Sequence, residues 1–272
     1  MYTEIKTYLA DKKLTSLAFA QASADEAETY VALIEKTIPL SKQARRNLEG
    51  LLNYLGVQNA LPLLLSGYLC LTQNDFEKLL RMIVSIYVRH TLVANQNPLE
   101  LETAFYDAAR EIRAKHESKV PSAKSLAAAR AILYKVNPAD SIIEENVPAL
   151  LLSRTEARWL MTELANSMQS HTKEIAMDKA NLEHVFPQNA GADWPNRDKL
   201  QPFIWHIGNL TVLSDRLNAK ARNKSFAAKC KDYYSKSEIR MTRDLTTVKS
   251  WDEKAVVTRA EHLGKQILRT WN

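Results

Sequence analysis

The sequence predicts a mainly α protein with a small α+β part towards its C-terminal end. Three observations lead there. Apolar residues recur at helical spacing through the first 170 residues, the texture changes near Ser170, and the stretch beyond reads as strand, loop, strand and helix. The corresponding division is a helical bundle over residues 1–170 and a second domain over residues 171–272.

In order, Ser23 to Ile38 offers Ser23 as an N-cap with Glu26 three residues on, followed by Tyr30, Leu33, Ile34 and Ile38 on one face. Ser41 to Leu55 and Asp75 to Asn95 repeat the pattern, the first with Leu48, Leu51, Leu52 and Leu55, the second with Leu79, Ile83, Ile86 and Tyr87. Pro98 suits the first turn of a further helix through Phe105, Ala109 and Ile112. Ser122 to Val136 and Arg154 to Met168 complete a bundle of about six to eight helices. His90 and His116 are expected at solvated or capping positions. Arg45, Arg46, Arg81, Arg89 and Arg110 could line a surface that touches nucleic acid, although helix arginines are ordinarily just solvated, which is the expectation for them. Past Ser170, Lys173 to Ala180 lacks helical periodicity, and Asn181 to Phe186 alternates as a strand that Pro187 ends. After a polar loop with Pro195 and Pro202, Ile207 to Leu213 is the best strand in the chain, with Gly208 at a bulge or close backbone approach. Ser214 or Asp215 caps a helix through Asn218 to Ala221, Phe226 to Tyr234 forms another, and Trp251 to Trp271 closes the fold.

At 272 residues and 46% hydrophobic, the chain has ample material for a core. Its longest apolar run, Ala60 to Leu71, is broken by Pro62, Ser66 and Gly67 and is too short to span a bilayer. The N-terminal MYTEIKTYLADKK lacks the pattern of a secretory signal, so a cytoplasmic location is the expectation. Cys70 and Cys230 stand far apart with no CxxC pair, which argues against a disulfide framework or a zinc ribbon. No GxxxxGK[ST] motif is present. The formal net charge is +6, and residues 181–250 carry most of it, with 12 Lys and Arg against 7 Asp and Glu. A basic excess on that stretch is what a polyanion-binding surface requires.

The same stretch gathers His184, His206, Asn209, Asn218 and Asn223. Hydrolysing a phosphodiester needs a base to deprotonate water, a divalent cation to offset developing charge, and a scaffold that fixes both. Neutral imidazole suits the first task because its pKa lies near physiological pH. A carboxylate or amide oxygen suits the second, since a hard cation prefers oxygen. Glu183 and His184 are adjacent, so on an extended strand their side chains point to opposite faces, and they share one metal only if the backbone bends. Asn218 would supply an amide oxygen from the following helix.

The motif set LEHVFPQN, HIGNLTVL, Asn218, Asn223, Phe226 and Lys229, with Tyr233 or Tyr234 behind it, resembles the HNH-type nuclease domain at the C-terminus of GmrSD-type modification-dependent (type IV) restriction endonucleases. Val185 and Val212 stand where that family's pattern has isoleucine and leucine. The resemblance implies a ββα-metal (His-Me finger) fold and metal-dependent cleavage or nicking of DNA in defence against foreign DNA, with Mg²⁺ or alternatively Mn²⁺. By comparison with the wider His-metal finger superfamily, it implies His184 as general base and Asn218 as metal ligand. Glu183 takes the place of an aspartate ligand, and Asn209 braces the loop that carries His184. His206 would touch the scissile phosphate or assist the leaving group. Asn223, Lys220, Arg222, Lys224 and Lys229 would meet the nucleic acid. Glu in place of Asp raises the alternative that Glu183 acts through water. The family's ParB-like nucleotidase half, marked by a DGQQR-type motif, is missing, which implies a C-terminal part or a separate subunit working with such a partner. The rival reading is a non-catalytic DNA-binding or interaction module with a degenerate nuclease fold; a ribonuclease or toxin-like nuclease would share the chemistry.

Overall fold

The computed structural model describes residues 6, 7, 9, 10, 15–169 and 179–272. The expected loop or hairpin at Lys173 to Ala180 lies almost wholly outside them. By contact density the chain divides into two units, residues 1–84 with 99–136 and residues 85–98 with 137–272. The compositional change near Ser170 falls inside the second.

The first unit is helical. Its elements are α1 (Ser16–Ile34), α2 (Lys42–Glu49, running into a π-helical turn over Gly50–Tyr54), α3 (Leu61–Cys70), most of α4 (Gln73–Tyr87), most of α5 (Pro98–Glu117) and α6 (Ser122–Leu133). Leu33, Leu48, Leu63, Phe76, Leu79, Ile83, Phe105, Ile112 and Leu133 make its buried face. The first helix corrects the expectation from Ser23. Thr15, whose hydroxyl accepts from Ala18 N at 3.1 Å, caps it, because nothing in the intervening sequence breaks a helix. It ends at Ile34, with Lys36 at φ 58°, so Ile38 is buried beyond the helix. The apolar run at Ala60 to Leu71 is α3, with Pro62 in its first turn, where a missing N–H costs nothing.

The second unit holds the end of α4, which passes into a π-helical turn over Val88–Val93. It continues with α7 (Asp140–Asn146), α8 (Arg154–Ser167), β1 (Ala180–His184), α9 (Arg197–Leu200), β2 (Leu210–Ser214), α10 (Asp215–Ala221), α11 (Phe226–Asp232), α12 (Arg240–Arg243) and α13 (Glu253–Thr270). Ser153 and Glu156 form a capping box at the start of α8. β1 and β2 pair antiparallel from Ala180 opposite Ser214 to His184 opposite Leu210, and α8 and α10 pack on both strands. Val185, Phe186, Trp194, Leu213, Leu217, Phe226, Tyr234, Trp251 and Val256 share one buried cluster.

Three expectations in this unit are corrected. Ile207–Asn209 is a 3₁₀ turn, not strand, because His206 Nδ1 accepts from Gly208 N at 3.1 Å and closes it. Arg89 is 3% exposed. It donates to Asn137 Oδ1 at 2.9 Å, the Pro138 carbonyl at 2.6 Å, Asp140 Oδ1 at 2.6 Å and the Trp271 carbonyl at 3.3 Å. His90, expected in solvent or at a cap, is fully buried.

Candidate functional site

The site forms where β1 ends. β1 stops at His184 because both backbone groups of Phe186 turn to Asn209. Asn209 Oδ1 accepts from Phe186 N at 2.8 Å, and its Nδ2 donates to the Phe186 carbonyl at 3.0 Å. The same amide donates to the Ile204 carbonyl at 3.2 Å and accepts from Trp251 Nε1 at 3.1 Å. Fully buried, Asn209 thus ties the segment after His184 to the segment before β2.

His184 is half-buried, its ring edge-on to Trp205 at 4.7 Å. Nδ1 lies 2.9 Å from the Ile204 carbonyl, the same oxygen that Asn209 holds. A carbonyl only accepts, so Nδ1 carries the proton in the neutral ring and Nε2 presents a lone pair. Gln188 Nε2 sits 3.1 Å from that nitrogen, and Gln188 also lines a polar cleft of about 460 Å³ with Asn189, Arg197, Asp198 and Gln201. Burial lowers the His184 pKa below the usual histidine value; the Ile204 hydrogen bond opposes this, and the Lys229 charge adds to it. The arrangement can therefore take a proton at Nε2 near neutral pH.

Glu183 leaves the strand on the other side, as strand alternation requires. It is 4% exposed, and its Oε1 accepts from Lys229 Nζ and from Tyr234 Oη, both at 2.8 Å. Lys229 is wholly buried and also donates to the carbonyls of His184 at 2.8 Å and Val185 at 3.1 Å. Burial raises the Glu183 pKa and lowers that of Lys229, while their mutual attraction opposes both shifts. Glu183 Oε2 takes no hydrogen bond from any described residue.

Asn218, on α10, donates through Nδ2 to the Leu182 carbonyl at 3.2 Å, leaving its Oδ1 without a hydrogen bond among the described residues. His206 is 3% exposed with both ring nitrogens occupied: Nε2 donates to the Pro148 carbonyl at 2.8 Å, and Nδ1 caps the turn at Gly208. Burial lowers its pKa as well. Lys220, Arg222, Asn223 and Lys224 are exposed around the C-terminal end of α10, where Arg222 takes φ 41°, and Lys224 Nζ stands 5.7 Å over the Tyr233 ring. The structure thus brings His184, Glu183, Asn209, Asn218 and Lys229 around the end of β1, and sets His206 in the packing beneath. Ile204, Gln188, Trp205 and Tyr234 complete this cluster. Of the four, sequence singled out Tyr234, as one of two candidate tyrosines, and carried Gln188 in the motif LEHVFPQN without a role; Ile204 and Trp205 touch His184 from a loop with no periodic signal.

A strand–loop–strand–helix unit thus presents a neutral imidazole beside a polar cleft, a group able to accept a proton. The comparisons give the family. The model of the GmrSD restriction endonuclease C-terminal domain matches residues 109–266, more than half of the chain, and the chain belongs to that family. No curated protein matches the sequence. The family points to a restriction-endonuclease type of function, that is, a nuclease, a hydrolase with DNA as its substrate. No helix among the described residues is long and apolar enough to cross a membrane.

Proposed function

We propose that the chain is a divalent-metal-dependent endodeoxyribonuclease of the HNH, ββα-metal type, cutting or nicking DNA in restriction of foreign DNA. The carrying observation is the fixed tautomer of His184, with Nδ1 bound to the Ile204 carbonyl and Nε2 aimed outward. In this reading His184 takes a proton from the attacking water at Nε2, once Gln188 yields its place. Asn209 keeps the imidazole aligned by holding the peptides on both sides of it, and Lys229 fixes the His184 carbonyl from below.

No three His, Cys, Asp or Glu side chains gather among the described residues. A magnesium site does not need them, because Mg²⁺ keeps several waters and substrate phosphate oxygens and takes only one or two protein oxygens. Asn218 Oδ1 fits that need, since it is not spent on a hydrogen bond within the described residues, whereas Glu183, on the opposite face of β1 from His184 and held by Lys229 and Tyr234, would act on such an ion only through water. A bound Mg²⁺ or Mn²⁺ would offset charge on the phosphorane and on the leaving oxygen. The exposed Lys220, Arg222, Asn223 and Lys224 would steady the backbone of the DNA, and a ParB-like nucleotidase, as another part or subunit, would supply nucleotide-dependent control.

The test is loss of supercoiled plasmid in Mg²⁺ or Mn²⁺, with EDTA as control. His184→Ala is expected to remove activity by roughly a hundredfold or more, the scale of a lost general base, with an unchanged circular dichroism spectrum. Full activity in that variant would overturn the assignment, and DNA binding without any cleavage by the native chain would favour a non-catalytic module.

A further inference from the structure

A cavity of about 930 Å³ lies in the second unit between α13 and the segment from Arg240 to Ser250, and does not include His184. Arg240, Lys249, Lys254, Arg259, Lys265 and Arg269 line it against two carboxylates, Asp244 and Asp252. Both carboxylates are engaged. Asp244 lies 3.7 Å from Arg240 Nε, and Asp252 caps α13 by accepting from Ala255 N at 2.9 Å. Lys249, Lys254, Lys265 and Arg269 are exposed, and none makes an ion pair with a described residue.

Arg259 is the deepest of these cations. Its Nη1 donates to the carbonyls of Gly208 at 2.7 Å and Leu210 at 2.6 Å, the residues on either side of Asn209. Its Nη2 is buried without a hydrogen-bond partner. Burial pulls its pKa down to about 10, as expected of a cation short of a counter-charge. A buried guanidinium edge left unsatisfied is costly, so an arriving oxyanion would gain a charge-assisted hydrogen bond there.

We propose that this cleft is a second nucleic-acid contact, which seats phosphates of the DNA strand away from the point of cleavage. An open cleft with a cationic rim suits a chain of regularly spaced, doubly ligandable oxyanions, and the Arg fork matches phosphate. The inference rests on the nuclease reading only for the identity of the polymer. It needs neither metal nor cleavage.

The test is anisotropy of a short fluorescent DNA duplex with the full chain, in EDTA and in the His184→Ala background, across a salt series. A charge-reversed variant, Lys249→Glu with Lys254→Glu and Lys265→Glu, is expected to bind roughly tenfold or more weakly, with a salt slope shallower by about 2–3. These side chains are exposed, and an unchanged melting temperature verifies the fold. Arg259→Lys keeps the charge but not the fork, and is expected to weaken binding as well. Unaltered affinity and slope in the charge-reversed variant would overturn the proposal. So would a rise in melting temperature with inorganic phosphate, lost in that variant, while DNA binding stays the same, which would mark a small-anion site. Binding that is retained while the native chain cleaves no DNA in Mg²⁺ or Mn²⁺ would sink the nuclease reading and leave this one standing.

Discussion

At the scale of the residue, the neighbours of His184 set what it can do. Its pKa lies below 6.5, chiefly through burial, so the neutral base predominates at pH 7 and protonation removes it only on the acid side. The pH profile of kcat/KM is therefore expected to have its acid limb below pH 6.5 and a plateau through neutrality; a limb centred above 7 would contradict it. The sign for stability follows from the same shift. His184 and His206 both titrate lower when folded, so between the folded values and about 6.5 the unfolded chain binds more protons, and stability falls as pH falls through that window. Lys229 gives a second expectation. Lys229→Met would strand Glu183 without its cation and free two carbonyls, costing about 3–5 kcal/mol, whereas Tyr234→Phe removes one hydrogen bond and should cost about 1–2 kcal/mol. Urea unfolding of the two variants measures both.

At the scale of the element, the turn before β2 is the piece that joins the site to its support. Gly208 is legible in the sequence as a close backbone approach, and in the fold a Cβ there would stand 2.0 Å from the Val256 carbonyl oxygen on α13. Gly208→Ala must therefore push α13 away from the turn that carries Asn209. The expected cost is at least about 1–3 kcal/mol, read as a drop in melting temperature, with activity falling alongside because Asn209 moves with the turn. Helix periodicity found α2, α4, α5, α6 and α8, whose apolar faces repeat over several turns. It did not separate α3, a short and almost wholly apolar run, or α7, at seven residues too short for a clear period. Strand alternation likewise ran past both strand ends, because Asn209 and His206 take backbone hydrogen bonds that a ladder would otherwise use.

At the scale of the whole molecule, the second unit draws in a helix end from far back in the sequence. Arg89 donates to two carbonyls, to Asn137 and to Asp140, binding the turn at Val88–Val93 to residues 137–140 and 271. Arg89→Met is expected to lower the unfolding free energy by about 1–3 kcal/mol for the Pro138 carbonyl alone. A neutral result in chemical denaturation would show that water replaces the guanidinium. Periodicity, motif order and local charge are properties of neighbouring residues, so the mainly helical class, the family, and the stretch in which the histidine, asparagines and basic residues gather are legible in the chain. Folding adds which nitrogen of His184 is free, the meeting of Glu183 and Lys229 in the interior, the packing of His206, and the approach of Arg259 on α13 to the peptides around Asn209. Those facts depend on contacts between residues about 20 to 60 positions apart, and such contacts leave no periodic or compositional trace in the chain.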